Sequence, residues 1–503
     1  MKIENLKFAV FMLLIVFSTA LNAAIPPKSQ LKVLFVGYDP LKPFPVLERR
    51  NPGEMTKEGF LAEYPVRMPA FKALLSSYFT EVATMDCRDW KPQDSEPYDV
   101  TVFDFSTKVI EPARQEKRAN GSTKYIPARY LPDNFSKPVV FIANTAPEMG
   151  GRIGLKLDWL CLCLDADAHH INTGHPIFKG SLEKVTPTMV MKATPDGVFH
   201  YTTGVNLPKQ IPMWRVQKEG YLDRKDVRVG LVARGNRFGE SPDAEVISSG
   251  VCTKDVGAVA LGRHGNFFLW GFSASPADMT EEAKKVFVNT VAYMKGFDGK
   301  TPIARKYNDR MATTDDVREI IAAVTKEKYE EYVQFLKDFN EQSKNQKKLL
   351  DDKVATGQTL SPEEKESMTY LGMEQAIDSY EKYIKSTMGK LATRFGSDAP
   401  AFQKYMKENF GYLYCDPNAF FAYEVDDEAK QIGVSNHDVR FLETCINRLK
   451  KNEQPELALK MLKKYTAEDF SSSKEWRSWF AKNKNKLFFT ETGGYKFLVN
   501  TYN

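Results

Sequence analysis

Apolar positions in the first 300 or so residues gather into short unbroken runs, whereas beyond them they recur with a helical period. Residues 31–37 (LKVLFVG) form an apolar, β-branched run closed by glycine and followed by a loop holding Pro43 and Pro45. This is the pattern of a buried parallel strand feeding a βα loop. A helical period at 68–78 follows, then strands at 81–85 and 98–105 (YDVTVFDF), and one at 137–144 (KPVVFIAN) without charge after Lys137. Alternating strands and helices predict a parallel sheet covered by helices on both faces.

Between 184 and 271 the pattern changes to short strands, expected at 188–193, 198–202, 227–233, 258–261 and 266–272. A helix closes this unit. Thr280 is placed to cap it, Glu281 and Glu282 suit the positive end of its dipole, and Ala283, Phe287, Val291 and Met294 make one apolar stripe ending at Gly296. Residues 297–314 are polar, contain Gly and Pro, and lack a period, which predicts a linker.

Strand signals nearly vanish after that. Ser361, Pro362 and Glu364 spell a capping box with proline at the first helical position, and Ser472 with Glu475 repeats the box. Val439, Leu442, Ile446 and Leu449 share a helical face, and Leu457 and Met461 belong to a second short helix after Pro455, so a helical hairpin is expected. Residues 487–490 and 495–499, either side of Gly493 and Gly494, predict a terminal β-hairpin or a pair of extended arms, which Trp476, Trp479 and Phe480 would pack. The expected organisation is an α/β domain over 31–296, a linker over 297–314, and a mainly α-helical domain over 315–503.

The first 24 residues stand apart. Lys2 and Lys7 precede an apolar run at 8–17, followed by the small residues Ser18, Thr19, Ala20, Ala23 and Ala24. That layout is a secretory signal peptide cleaved near Ala23 or Ala24, so export to the periplasm or beyond is expected, with no membrane span left afterwards. Composition adds exclusions. The 70 basic and 65 acidic residues are mixed along the chain, so no basic stripe for nucleic acid emerges. Six cysteines in 503 residues leave stability to apolar cores, with Cys415 and Cys445 as the one pairing to test.

Three stretches carry a resemblance to a known family: KPVVFIANT at 137–145, GHPIFKG at 174–180, and GRHGNFFLWGFSASP at 262–276. With them the first unit resembles the class I glutamine amidotransferase-like fold, closest to its ThuA-like branch, which is common in exported bacterial proteins associated with carbohydrate use. The resemblance implies a flavodoxin-like parallel sheet. It also implies a thiolate nucleophile on a strained strand-to-helix turn, a His to take its proton and a Glu to orient the His. Aligned on the motifs, this chain has Ala143 at the nucleophile position and Ser273 and Ser275 where His and Glu belong. A methyl group cannot attack a carbonyl, and two hydroxyls cannot act as base and orienter near neutral pH. Amidotransferase activity is therefore not expected.

Two further groups bear on function. Tyr38 and Asp39, with Asn144 and Thr145, lie at the carboxyl ends of expected strands, where open α/β sheets gather ligands. The stretch DADAHHINTGH brings Asp165, Asp167, His169, His170 and His175 close in sequence; Asp167, His169 and His170 are candidate metal ligands, although the spacing matches no strong metal motif and a polar loop with helix-capping Asp residues is the main expectation. No cofactor is expected. The leading expectation is an exported protein whose degenerate domain binds a carbohydrate or envelope partner. The alternatives are a carbohydrate-active hydrolase or lyase using Asp and His residues, with or without a metal's assistance, and a purely structural envelope protein.

Overall fold

The computed structural model describes residues 27–45, 56–117, 123–151, 160–180, 182–195, 207–224, 226–235, 237–253, 255–305, 311–417 and 421–502. The signal-like segment and the strand expected at 198–202 lie outside them. Within them the chain is a mixed α/β protein with one large sheet in its first half and most of its helices in the second.

The strands of the first half are β1 (Ser29–Gly37), β2 (Phe79–Asp86), β3 (Val100–Phe103), β4 (Arg114–Lys117), β5 (Thr123–Ile126), β6 (Val139–Ile142) and β7 (Leu160–His169). They continue with β8 (Met189–Ala193), β9 (Gln210–Arg215), β10 (Gly230–Ala233), β11 (Ala244–Cys252), β12 (Val259–His264) and β13 (Phe267–Trp270). Eleven of them form the sheet in the order β2-β1-β3-β6-β13-β12-β10-β7-β9-β8, with β11 bonded to β12 and β7; β4 and β5 make a separate hairpin. From β2 to β13 every neighbour pair is parallel, and from β13 onward every pair is antiparallel.

The parallel part is apolar on both faces because both are covered. On one face Phe35 stacks on Phe71 of the helix Arg67–Tyr78, and Trp270 meets Phe287 of the helix Glu281–Met294, with ring centroids 4.7 and 5.1 Å apart. Thr280 caps the second of these helices as expected, its hydroxyl accepting from the Ala283 N–H. On the other face Phe103, Phe141 and Phe267 form a row of stacked rings, and Trp90 and Phe135 reach them from irregular segments. Among the described residues the two long helices of this half pack on one face, while loop aromatics contribute to the cover of the other.

The second half holds separate apolar cores. One gathers Val317, Ile384, Met388, Phe402 and Met406. Another gathers Phe441, Leu442, Cys445, Met461, Leu462 and Trp476, where the helices Val439–Lys451, Pro455–Lys464 and Ser473–Asn483 meet the terminal hairpin Leu487–Thr490/Lys496–Val499. Both capping boxes form, at Ser361 with Glu364 and at Ser472 with Glu475. Cys415 and Cys445 are free thiols in different cores, so the pairing weighed for them is absent.

The two halves are joined by buried polar contacts. Arg234 and Asp316, both almost fully buried, pair at 2.5 Å. Glu491 accepts from the N–H and hydroxyl of Thr314, and Glu240 accepts from Thr490 and Thr492. Ala304, Met311 and Ala312, inside the segment expected to be a linker, are buried. No helix among the described residues is long and apolar enough to cross a membrane.

Candidate functional site

The carboxyl ends of β1, β3, β6 and β13 converge on one place, where the parallel strands end in Gly37, Phe103, Ile142 and Trp270. Ala143 follows β6 with φ of 49°, a left-handed conformation rare for a residue with a Cβ, and leads into the short helix Thr145–Gly150. A strand, one strained residue and a helix make a nucleophile-elbow geometry. Its side chain here is a buried methyl group.

Beside this turn sits a group of charges that the sequence did not reveal. Asp104, the residue after β3, is buried between Arg67 and Arg228, which are themselves buried. Arg67 Nε and Nη2 donate to its two oxygens at 2.7 and 2.9 Å, and Arg228 Nη1 donates to Oδ1 at 2.7 Å. Arg67 also reaches Glu63 at 2.6 Å and the Ser273 carbonyl at 2.7 Å, while Arg228 reaches the Asp104 carbonyl and the Asn144 side-chain oxygen. Two guanidiniums and two carboxylates balance. Burial alone would push the Asp104 carboxyl up, but the two facing guanidiniums hold it below its ordinary range. The Arg228 guanidinium also lies over the Phe105 ring, 4.4 Å from its centroid.

Among the described residues this cluster fills the space beyond the carboxyl ends of these strands. The cavity left among Tyr38, Phe60, Glu63, Tyr64, Arg67, Met68, Asp104 and Phe105 is about 10 Å³, and so is its neighbour along Gln217, Arg228 and Ser273. Each has room for about one water, whereas small-molecule sites run to several hundred Å³.

The residues singled out from sequence are placed as follows. Ser273 lies against the cluster, and its hydroxyl donates to the Arg228 carbonyl at 2.5 Å; Ser275 is buried and its carbonyl accepts two turn N–H groups from Asp278 and Met279. Thr145 spends its hydroxyl on the carbonyls of Phe103 and Ile142. Asn144 bridges Arg228 and Glu148. Asp39 shapes a turn, its Oδ1 accepting from Leu41 and its N–H donating to Asp86. Tyr38 belongs to an aromatic group with Phe60, Tyr64 and Phe105, and Phe44 packs on Phe60 and Tyr64 at its edge.

The Asp/His stretch is not the polar loop with capping Asp residues that was expected: Asp165, Asp167 and His169 alternate along β7. The Asp167 carboxylate is held by Lys192 at 2.8 Å and Arg215 at 2.9 Å. His169 is buried with Nδ1 2.7 Å from Nδ1 of His170, and burial, with the His170 ring second, lowers its pKa to about 4. His175 caps the helix Pro176–Lys179, its Nδ1 accepting from the Ile177 N–H. Among the described residues no three His, Cys, Asp or Glu side chains come together to hold a metal ion, so Asp167, His169 and His170 do not form the metal site considered for them.

No family model, no curated protein and no solved structure matches the chain.

Proposed function

We propose that the first half of this chain is a degenerate amidotransferase-like domain that binds and does not catalyse, in a protein exported to the envelope. The observation that carries the reading is the filled crevice: an elbow turn bearing the methyl group of Ala143, closed over by the Arg67–Asp104–Arg228 cluster. Catalysis of acyl transfer needs a nucleophile, a base within hydrogen-bond reach and an oxyanion space beside them. The described groups at this turn are methyl, hydroxyl, amide and ion-paired side chains. In support of the family reading, the parallel strands taken alone run 2-1-3-4-5, the flavodoxin-like order, and the elbow follows the fourth of them. The signal-like pattern of residues 1–24 supports export.

The partner we favour is a glycan, engaged at the rim and not in the crevice. Tyr38, Phe44 and Tyr64 present part of their rings there, next to the exposed Leu41 and to Arg88, whose guanidinium lies 5.4 Å from the Tyr38 ring centroid. Apolar ring faces bordered by hydrogen-bonding groups suit a sugar, which has C–H faces and hydroxyl edges. The test is a glycan array on the full chain, repeated with Phe44→Ala and Tyr64→Phe, together with a glutaminase assay of the parent and of Ala143→Cys. Glycan binding weakened by Phe44→Ala with no turnover in either protein is expected. Binding indifferent to the rim, or turnover in the parent chain, overturns the proposal; capture of an envelope protein at the same rim would replace the glycan and keep the rest.

A further inference from the structure

The helix Lys326–Ala355 is 30 residues long, about 45 Å, yet only Leu336 and Ser343 along it are buried. Near its start Tyr329 and Tyr332 pack on Tyr383 of the body. Farther on, its partners come from the chain returning alongside: Asn340 bonds Gln375, Ser343 accepts from the Gly372 N–H, Lys344 pairs with Glu374 and Lys353 with Glu364. Helix and return segment make an arm. The return segment covers one flank, and the adjoining face stays open. On that face Phe335 and Phe339 are 62% and 45% exposed, and Leu349, 64% exposed, borders a groove of about 650 Å³ whose far wall is Ser367 and Leu371 of the return segment.

These residues, with the exposed Gln342 and Gln346, are spaced 4-3-4-3, the step of a coiled-coil seam. The seam is nearly symmetric about Gln342, so Phe335 falls opposite Leu349 when the helix is laid antiparallel on itself. Charge favours the same arrangement. Residues 326–341 hold five acidic and three basic side chains, whereas in 342–355 Lys344 and Lys353 pair with the return segment and Lys347 with Asp351, so antiparallel copies set the acidic half of each against a half whose cation without an ion-pair partner among the described residues is Lys348. On the open flank, Asp338 accepts only from Gln334, and neither Asp338 nor Lys348 has an ion-pair partner among the described residues. In the antiparallel register each lies within reach of the other's counterpart.

We propose that this face is a homodimer interface: the arms of two copies pair antiparallel about Gln342, with Phe335, Phe339 and Leu349 in the seam and two reciprocal Asp338–Lys348 ion pairs at its flank. A two-fold pairing of identical surfaces closes on itself and forms no filament. The occupant is a second copy because a foreign helix would have to reproduce both the seam and the reciprocal placing of Asp338 and Lys348.

Sedimentation velocity of the full chain over a wide concentration range tests it, with circular dichroism confirming that each exposed-site variant is folded. The parent is expected to pass from monomer to dimer, and Phe339→Glu to weaken the dimer at least about thirtyfold. Asp338→Lys and Lys348→Asp should each weaken it roughly tenfold, because both reciprocal pairs turn repulsive. An equimolar mixture of these two variants should recover parental affinity, since in the mixed dimer positions 338 and 348 again face each other with opposite charge. A parent that stays monomeric overturns the proposal, as does a dimer that ignores Phe339→Glu or a mixture that fails to recover.

Discussion

Replacing Asp104 by Asn tests how the crevice is closed. The substitution keeps the shape of the side chain and removes the charge that Arg67 and Arg228 share. Three charge-assisted hydrogen bonds of 2.7 to 2.9 Å end on that carboxylate, and each guanidinium is almost fully buried. With Asn, Glu63 is the one carboxylate left in the cluster, and it reaches Arg67 alone. Arg228 is then a buried cation facing an amide. Breaking a buried pair from one side costs about 3–5 kcal/mol, against a net stability for folded domains of roughly 5–15 kcal/mol. Removing a charge of each sign should undo most of this: Asp104→Asn with Arg228→Met leaves the Arg67–Glu63 pair intact and no unmatched ion. Urea unfolding followed by tryptophan fluorescence suits the comparison, because Trp90 and Trp270 are buried against the sheet. The single variant is expected to fall by several kcal/mol and the double to recover at least about half of the loss. A single variant within about 1 kcal/mol of the parent, or a double no better than the single, would refute the claim that Asp104 is the shared counter-ion.

Three other outcomes follow from the same geometry. Ala143→Gly should leave stability equal or raise it by up to about 1 kcal/mol, since glycine removes the left-handed strain at φ of 49° at some entropic cost, whereas Ala143→Val should lower it; thermal melts decide. For His169 the folded pKa, about 4, lies below the ordinary 6.5, so the unfolded chain binds the proton more readily between those values. Its contribution is fully present above pH 6.5 and is lost as the pH falls toward 4, by about 3 kcal/mol in all, and His169→Gln should flatten that acid limb in a pH series of melts. Arg234→Met strips Asp316 of its guanidinium across the two halves; hydrogen bonds from Thr313 remain, so a loss near the lower end of about 3–5 kcal/mol is expected, read as a lowered melting midpoint that Asp316→Asn in the same background largely restores.

Much of the parallel sheet is legible along the chain because its strands are local signals: runs such as VLFV and VVFI are apolar on both faces and need no partner to be recognised. β7 misleads for the opposite reason. Its Asp165, Asp167 and His169 look like loop chemistry, and only Lys192 and Arg215, brought in by β8 and β9, make a buried charge on a strand tolerable. The arm helix carries no core-facing stripe of ordinary width, so periodicity passes over it. At the site, the alanine at the elbow is legible through motif alignment alone, but the ions filling the crevice are not. Arg228 and Asp104 stand 124 positions apart, and nothing in the local pattern at either position specifies the other. A signal does exist at one end: a lone Asp directly after an apolar strand lies where open sheets concentrate their chemistry.

The ion cluster also fixes how the elements around the crevice are set against one another. Asp104 is gripped from one side by Arg67, in the first turn of a helix packed on the sheet, and from the other by Arg228, on the segment leading into β10. Arg67 and Ser273 further tie that helix to the chain leaving β13. One buried carboxylate thus fixes a helix, a strand approach and the end of the parallel sheet in a single register. An apolar plug of equal volume would hold these elements with comparable energy but without direction, because dispersion contacts tolerate sliding and charge-assisted bonds do not. On this reasoning a crevice repacked with Met at positions 67, 104 and 228, and with Glu63→Gln so that no carboxylate is left unmatched, should be as stable as the parent yet hold the rim less rigidly. Faster amide exchange around Tyr38 and Tyr64 at unchanged global stability is the signature that separates direction from mere filling.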